Sequence, residues 1–189
     1  MIRIGIIGYG LRMRGVTDLM QSLNEGTKIV AIADPGCQEI KKWMKENNRE
    51  DSSIAFYASA DDMLSFETLD AVMIGTRCSL HSTLAQKVLA LNLPLFIEKP
   101  VATNMEDLVN LRNAAAKSSS KVVVSFPLRV TPLVDLAKEI IESGQIGTVE
   151  HVQAFNNVSY GGVYITVGIE TIMKQADYFF KRQHMISII

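Results

Sequence analysis

The sequence predicts an α/β fold, a doubly wound parallel sheet followed by only the start of a second α/β domain. Three observations predict it. An apolar run enters a glycine turn, a second apolar run ends in an acid at the spacing of a dinucleotide-binding unit, and strand and helix patterns then alternate.

In chain order, Ile2-Arg3-Ile4-Gly5-Ile6-Ile7 reads as a short buried strand, and Gly8-Tyr9-Gly10 turns the chain into a helix beginning near Arg12. Lys28 to Ala33 is the second strand, Ile40, Trp43 and Met44 form a helical stripe, and Ile54 to Tyr57 is the third strand. Leu69 to Ile74 is the fourth. Leu84, Val88 and Leu91 mark a helix leading through Pro94 to a fifth strand. Thr103 with Glu106 reads as the capping box of the next helix, with Met105, Leu108 and Leu111 inward and Ser118-Ser119-Ser120 as its exit. Val122 to Val124 is the sixth strand. Thr131 then caps a helix with Pro132 in its first turn, an apolar face of Leu133, Leu136, Ala137 and Ile140, and a stop at Gly144. Val149 to Val158 reads as an antiparallel strand. The expected boundaries are a dinucleotide-binding domain over 1–126, the start of a second domain over 127–164, and a tail over 165–189.

The first half carries the outline of a Rossmann unit. The glycines let the backbone approach a pyrophosphate, whose charge the free amides of a helix N-terminus stabilise. Asp34 follows the turn by about 20 residues, where a carboxylate accepts hydrogen bonds from a ribose diol. That carboxylate would repel a 2′-phosphate, and Pro35-Gly36-Cys37 supplies no arginine to hold one, so the cofactor expected is NAD rather than NADP. The third fingerprint glycine is replaced by Met13, and Gly15 comes two residues late. Helix and strand are therefore expected to stand further apart than usual unless the loop carries an insertion.

Leu95-Phe96-Ile97-Glu98-Lys99-Pro100 puts a charged pair and a proline at the end of a buried strand, which packing alone does not explain. Together with Gly8-Tyr9-Gly10, Asp34, the run from Asp70 to Thr76, His81, Phe126 to Arg129 and Glu142 to Val149, it resembles the family of glucose-fructose oxidoreductase, inositol dehydrogenase and MocA, over about Met1 to Tyr164. The resemblance implies hydride transfer between a nicotinamide and a sugar, cyclitol or related polyol, with Lys99 beside the ring and the substrate hydroxyl. It also implies a cofactor-binding set of Gly8, Tyr9, Gly10, Leu11, Asp34, Thr76, His81, Glu98 and Lys99. For His81 a structural or capping role is an equal alternative. Arg129 either reaches a hydroxylated or anionic substrate or is a solvated arginine at a strand end. Arg77 departs from the family, many members of which carry proline there, and this makes the shape of that loop uncertain from sequence.

Composition narrows the function classes. With 189 residues and 48% hydrophobic content the chain can bury a core, and a net charge of -1 without a basic run offers no footprint for nucleic acid or an anionic membrane surface. No signal peptide or membrane span is expected, and Cys37 and Cys78 are too few for a disulfide framework and lack metal-ligand spacing. A cytoplasmic, metal-free protein is expected. A Rossmann-like methyltransferase shares the glycine turn and the acid, but Glu98-Lys99-Pro100 speaks against it. A further alternative is a truncated NAD-binding module without activity.

Residues 165–189 match no motif of the family, whose members continue well beyond this point and place a histidine with nearby aspartates opposite the lysine. Codons compatible with the tail, read two bases later, can give a segment ending Ala-Thr-His-Asp-Ile-Asp-Tyr. In that frame Met185 followed by Ile186 forces an aspartate, and His184 followed by Met185 allows only histidine or tyrosine. The tail is read as a frameshifted remnant. The alternative is an ordinary diverged C-terminus, since Ile169, Ile172, Met173, Ala176, Phe179 and Phe180 follow helical spacing. A strand at 149–158 without its sheet would expose an edge, so self-association through it is expected.

Overall fold

The computed structural model describes residues 1–23 and 26–153. Its elements are β1 (Ile2–Ile7), α1 (Leu11–Ser22), β2 (Thr27–Ala33), α2 (Cys37–Glu46), β3 (Ala55–Tyr57), α3 (Ala60–Phe66), β4 (Ala71–Ile74), α4 (His81–Ala90), β5 (Leu95–Glu98), α5 (Met105–Ala116), β6 (Val122–Ser125) and α6 (Pro132–Glu142). Short 3-10 turns stand at Cys78–Leu80 and Pro127–Val130. The six strands form one sheet in the order β3-β2-β1-β4-β5-β6, and every neighbouring pair is parallel. The order reverses between β1 and β4. In such sheets that switch point opens a crevice at the carboxyl ends of the strands.

Successive side chains of a strand point to opposite faces, and here both faces are buried. Ile4, Ile6, Ile32 and Met73 pack with Met13 of α1 and Ile40 and Met44 of α2. Ile7, Val72, Ile74 and Ile97 pack with Met63 of α3, Ala85, Val88 and Leu89 of α4, and Leu111 of α5. Ile6, Ile32, Ile74 and Ile97 are at most 1% exposed, and burying each contributes roughly 1.5–3 kcal/mol. The helix-covered parallel sheet is therefore a packed core whose loops are free to carry a site.

Several local expectations are corrected. The α5 cap is Asn104, whose side chain accepts from the Asp107 amide, not Thr103 with Glu106. An asparagine in extended backbone caps as well as a threonine, and it stands one residue closer to the helix. Met105 and Leu108 lie outward at 68% and 43% exposure, leaving Leu111 as the buried anchor of α5. α5 meets α4 through a polar seam as well, where Ser82 Oγ donates to the Asp107 carbonyl at 2.8 Å. Leu91 is the exposed C-cap of α4. Thr131 Oγ1 donates to the Leu128 carbonyl at the turn before α6. The helix forms as expected, but Leu133, Leu136 and Ile140 are exposed.

The chain divides into two units at Leu136/Ala137. Residues 149–153 carry no regular secondary structure, so the described part of the expected strand at 149–158 is not a strand. Its remainder and the tail over 165–189 lie outside the described residues. No described helix is long and apolar enough to cross a membrane.

Candidate functional site at the carboxyl ends of the strands

The glycine turn is fixed from both sides. The Gly8 amide donates to the Ala33 carbonyl at 2.9 Å, and the Gly75 amide donates to the Ile7 carbonyl at 2.9 Å. Gly8 has φ +83°, and a Cβ there would lie 2.6 Å from Thr76 Cγ2 and 2.8 Å from the Thr76 nitrogen, so only glycine fits. A Cβ on Gly10 would meet nothing within 4 Å, so the turn opens to solvent at that point. α1 then begins with Gly10 in extended conformation, without a side-chain cap and without an acid in its first turn. By contrast, Ser59 caps α3 and Asn104 caps α5, each with two acids in the first turn. The first amides of α1 are left to a ligand, and an anion is what they favour.

Met13 does not push helix and strand apart. It is fully buried, and a Cβ on Gly75 would lie 2.5 Å from its Cε. Room normally made by a third glycine on the helix is made here by a glycine after β4. No insertion is needed.

Asp34 stands just past β2, half-buried. Its Oδ2 accepts from the Tyr9 amide at 3.0 Å and its Oδ1 from the Gly36 amide at 2.8 Å. Each carboxylate oxygen has a second acceptor position, so the carboxylate is oriented by the protein and still open to a diol. The Tyr9 ring is buried, its hydroxyl 3.5 Å from Thr17 Oγ1, so Tyr9 serves the site through its backbone. Arg14 closes this corner. Its Nε donates to the Tyr9 carbonyl, and its guanidinium lies 3.9 Å from the centroid of the Trp43 ring.

At the end of β5 the two charges of Glu98-Lys99 do different things. Glu98 is buried, its Oε1 accepting from Arg12 Nε and from Ser125 Oγ, both at 2.9 Å. Lys99 is exposed, has no hydrogen bond or ion pair to a described residue, and joins Pro100 through a cis peptide bond. It is not paired with Glu98. His81 is 1% exposed and has Nδ1 2.7 Å from the Pro100 carbonyl and Nε2 3.1 Å from the Thr76 carbonyl. Both nitrogens face carbonyls of the loops that follow β4 and β5, and a neutral ring donates to one of them. Arg77 adopts φ -65°, the value a proline would impose. Thr76 is half-buried and Leu11 is 73% exposed at the first position of α1. Arg129 is exposed in the turn after β6.

Gly8, Asp34, Thr76 and Lys99 thus all follow carboxyl ends of strands in the first unit. Sequence reasoning missed Arg12, Ser125 and Gly75. A signal for Arg12 was available, since a glutamate ending an apolar strand needs a cation. Among the described residues there is no cluster of three histidines, cysteines or acids able to hold a metal ion.

Residues 2–126 match the family model described as an oxidoreductase family with an NAD-binding Rossmann fold. The chain is 28% identical over 150 residues to the oxidoreductase YrbE of Bacillus subtilis, covering 76% of this chain and 41% of that protein. It is 26% identical over 167 residues to an inositol 2-dehydrogenase of Serratia proteamaculans, covering 87% of this chain and 49% of the relative. Among solved structures it is similar to the WlbA dehydrogenase of Bordetella pertussis in complex with NADH and UDP-GlcNAcA, with TM-score 0.68 and 25% identity over 77% of this chain and 43% of that one. The chain spans about half the length of the relatives it matches, or less. A match over residues 2–126, on a parallel sheet with the glycine turn at its switch point and Glu98-Lys99-Pro100 at the end of β5, shows that the chain belongs to the glucose-fructose oxidoreductase, inositol dehydrogenase and MocA family of oxidoreductases with an NAD-binding Rossmann fold.

Proposed function

We propose that this chain supplies the cofactor half of an NAD-dependent oxidoreductase acting on a sugar, cyclitol or related polyol. The observation that carries the reading is Lys99: a lysine exposed at the end of β5 and without a partner among the described residues, while the glutamate before it is buried and engaged. Relatives that include an inositol dehydrogenase and a dehydrogenase bound to a nucleotide sugar support the substrate class.

The residues fit the dinucleotide. Gly10 opens onto free space beside the uncapped start of α1, and Asp34 is presented at the end of β2 with its carboxylate oriented by two amides. When bound, NAD supplies the acceptor for the hydride that leaves the alcohol carbon. Asp34 accepts from the ribose hydroxyls and disfavours a 2′-phosphate; the α1 amides hold the pyrophosphate. Lys99 Nζ donates to the substrate hydroxyl and stabilises the negative charge that develops on its oxygen as the proton leaves. His81 positions the loops of Thr76 and Lys99.

Proton removal needs a second group. Among the described residues of the first unit the one imidazole is His81, whose nitrogens lie 2.7 and 3.1 Å from carbonyl oxygens. This favours the companion reading, a chain that binds NAD and turns over poorly by itself. The reading of residues 165–189 as an out-of-frame remnant is part of the proposal, as is self-association through 149–158. An uninterrupted frame on resequencing across the codons for Tyr164 and Ile165 would sink the former, and a monodisperse monomer in light scattering the latter. The test of function is NADH production over a panel of sugars and inositols. The protein extended in the shifted frame should be active and the 189-residue chain inactive; equal activity would overturn the account of the missing group.

A further inference from the structure

Glu98 is 6% exposed, and a carboxylate so buried must be compensated. Its compensation crosses the sheet. Arg12 lies in the first turn of α1, which leaves β1, whereas Glu98 ends β5, and β4 stands between them. Neighbouring strands are about 4.8 Å apart, so the side chain of Arg12 passes over the carboxyl end of β4 to place Nε 2.9 Å from Glu98 Oε1. Ser125, the last residue of β6, donates to the same oxygen and extends the network one strand further. The ion pair therefore bridges the switch point between β1 and β4.

A dinucleotide held by Asp34 at one end and reaching Lys99 at the other must cross that same switch point. Its pyrophosphate would be held by the first amides of α1, and Arg12, in that first turn, pairs with Glu98, the residue before Lys99. The guanidinium spends one of its five N–H donors on Glu98 and keeps four. The Arg12 side chain is 58% exposed while that of Glu98 is 9% exposed, so the guanidinium remains accessible to a ligand while its Nε is held.

We propose that Arg12 is a phosphate-binding residue of this site, its guanidinium fixed by Glu98, which Ser125 holds in turn, and its free amino groups donating to the nicotinamide-side phosphate of the pyrophosphate. The inference rests on the NAD-binding reading above. It also gives Glu98 a role: the glutamate of Glu98-Lys99-Pro100 holds Arg12 and leaves Lys99 unpaired for substrate.

The test is titration of the wild-type chain and of Arg12→Ala, Arg12→Lys and Glu98→Gln with NADH, ADP-ribose, reduced nicotinamide mononucleotide and AMP. AMP carries only the adenosine-side phosphate. Arg12→Ala should weaken NADH, ADP-ribose and the mononucleotide by about tenfold or more and leave AMP unchanged, which also reports an intact fold. Arg12→Lys keeps the charge without the fork and should recover part of the loss, and Glu98→Gln should fall between wild type and Arg12→Ala. Wild-type affinities for the mononucleotide and ADP-ribose in Arg12→Ala would overturn the proposal, as would an equal loss for AMP in Arg12→Ala and Arg12→Lys. Failure of the wild-type chain to bind NADH at all would overturn the NAD-binding reading itself, and with it this inference.

Discussion

The two ends of the sheet are built from similar residues to opposite purposes. At the amino ends, charges satisfy one another. The Arg3 amide donates to Asp70 Oδ2 at 2.7 Å, Arg3 Nε to the Thr68 carbonyl at 2.7 Å, and its guanidinium pairs with Glu67 at 3.6 Å. An open cavity of about 460 Å³ lies here, lined by Arg3, Lys28, Ser53 and Glu67 among others. At the carboxyl ends the chain instead leaves groups open: a turn facing solvent at Gly10, an uncapped helix, and an unpaired Lys99. What distinguishes a ligand site here is polar capacity held in place but not used up, and the Arg3 guanidinium at the amino-end cavity is already tied to two partners, the Thr68 carbonyl and Glu67.

This contrast can be broken or sharpened by substitution. The largest effect is expected for Lys99→Ala in the extended protein: turnover should fall by about 10²- to 10⁴-fold, the range for groups that manage a proton, while NADH affinity stays within a few-fold. Gly8→Ala comes next. A left-handed non-glycine costs roughly 1–3 kcal/mol, and the close approach to Thr76 adds to it. Since about 2–4 °C of Tm follows each kcal/mol in a chain of this size, the variant should melt several degrees lower and bind NADH more weakly. Arg3→Ala should cost about 1 kcal/mol or less, because the arginine is half exposed, and should leave NADH affinity unchanged. An effect of Arg3→Ala on NADH comparable to that of Gly8→Ala would erase the distinction between the two ends.

The smallest effect is a pH dependence. Tyr57 Oη donates to Glu67 Oε1 at 2.7 Å, and that hydrogen bond, followed by burial and the charge of nearby carboxylates, raises the phenol above its ordinary value. Its contribution is fully present below the unfolded value and is lost as pH rises through the raised folded one. The stability difference between wild type and Tyr57→Phe should be flat from neutral pH to about 9 and shrink above about 10. A difference that grows with pH would show the hydrogen bond to be absent.

How much of this was legible in sequence depends on the kind of information each element needs. All six strands of the sheet could be read because apolar runs bounded by glycine, proline and acids are local signals. The crevice could be read from Gly8, Asp34, Thr76 and Lys99, which all follow strand ends. What could not be read depends on three-dimensional neighbours. Gly75 replacing the missing glycine at Met13, Arg12 crossing β4 to Glu98, and His81 joining two carbonyls are contacts between residues far apart in the chain. The inward face assigned to Met105 and Leu108 failed for a related reason: helical periodicity marks a stripe but not how far the helix extends beyond the sheet it covers.

The central claim is that the carboxyl ends of this sheet bind NAD through the glycine turn and Asp34. Fluorescence titration with NADH and NADPH tests it most directly. The account predicts saturable NADH binding that NAD displaces, clear preference over NADPH, and narrowing or reversal of that preference in Asp34→Arg. Absence of saturable binding, or equal or tighter binding of NADPH by the wild-type chain, would contradict it.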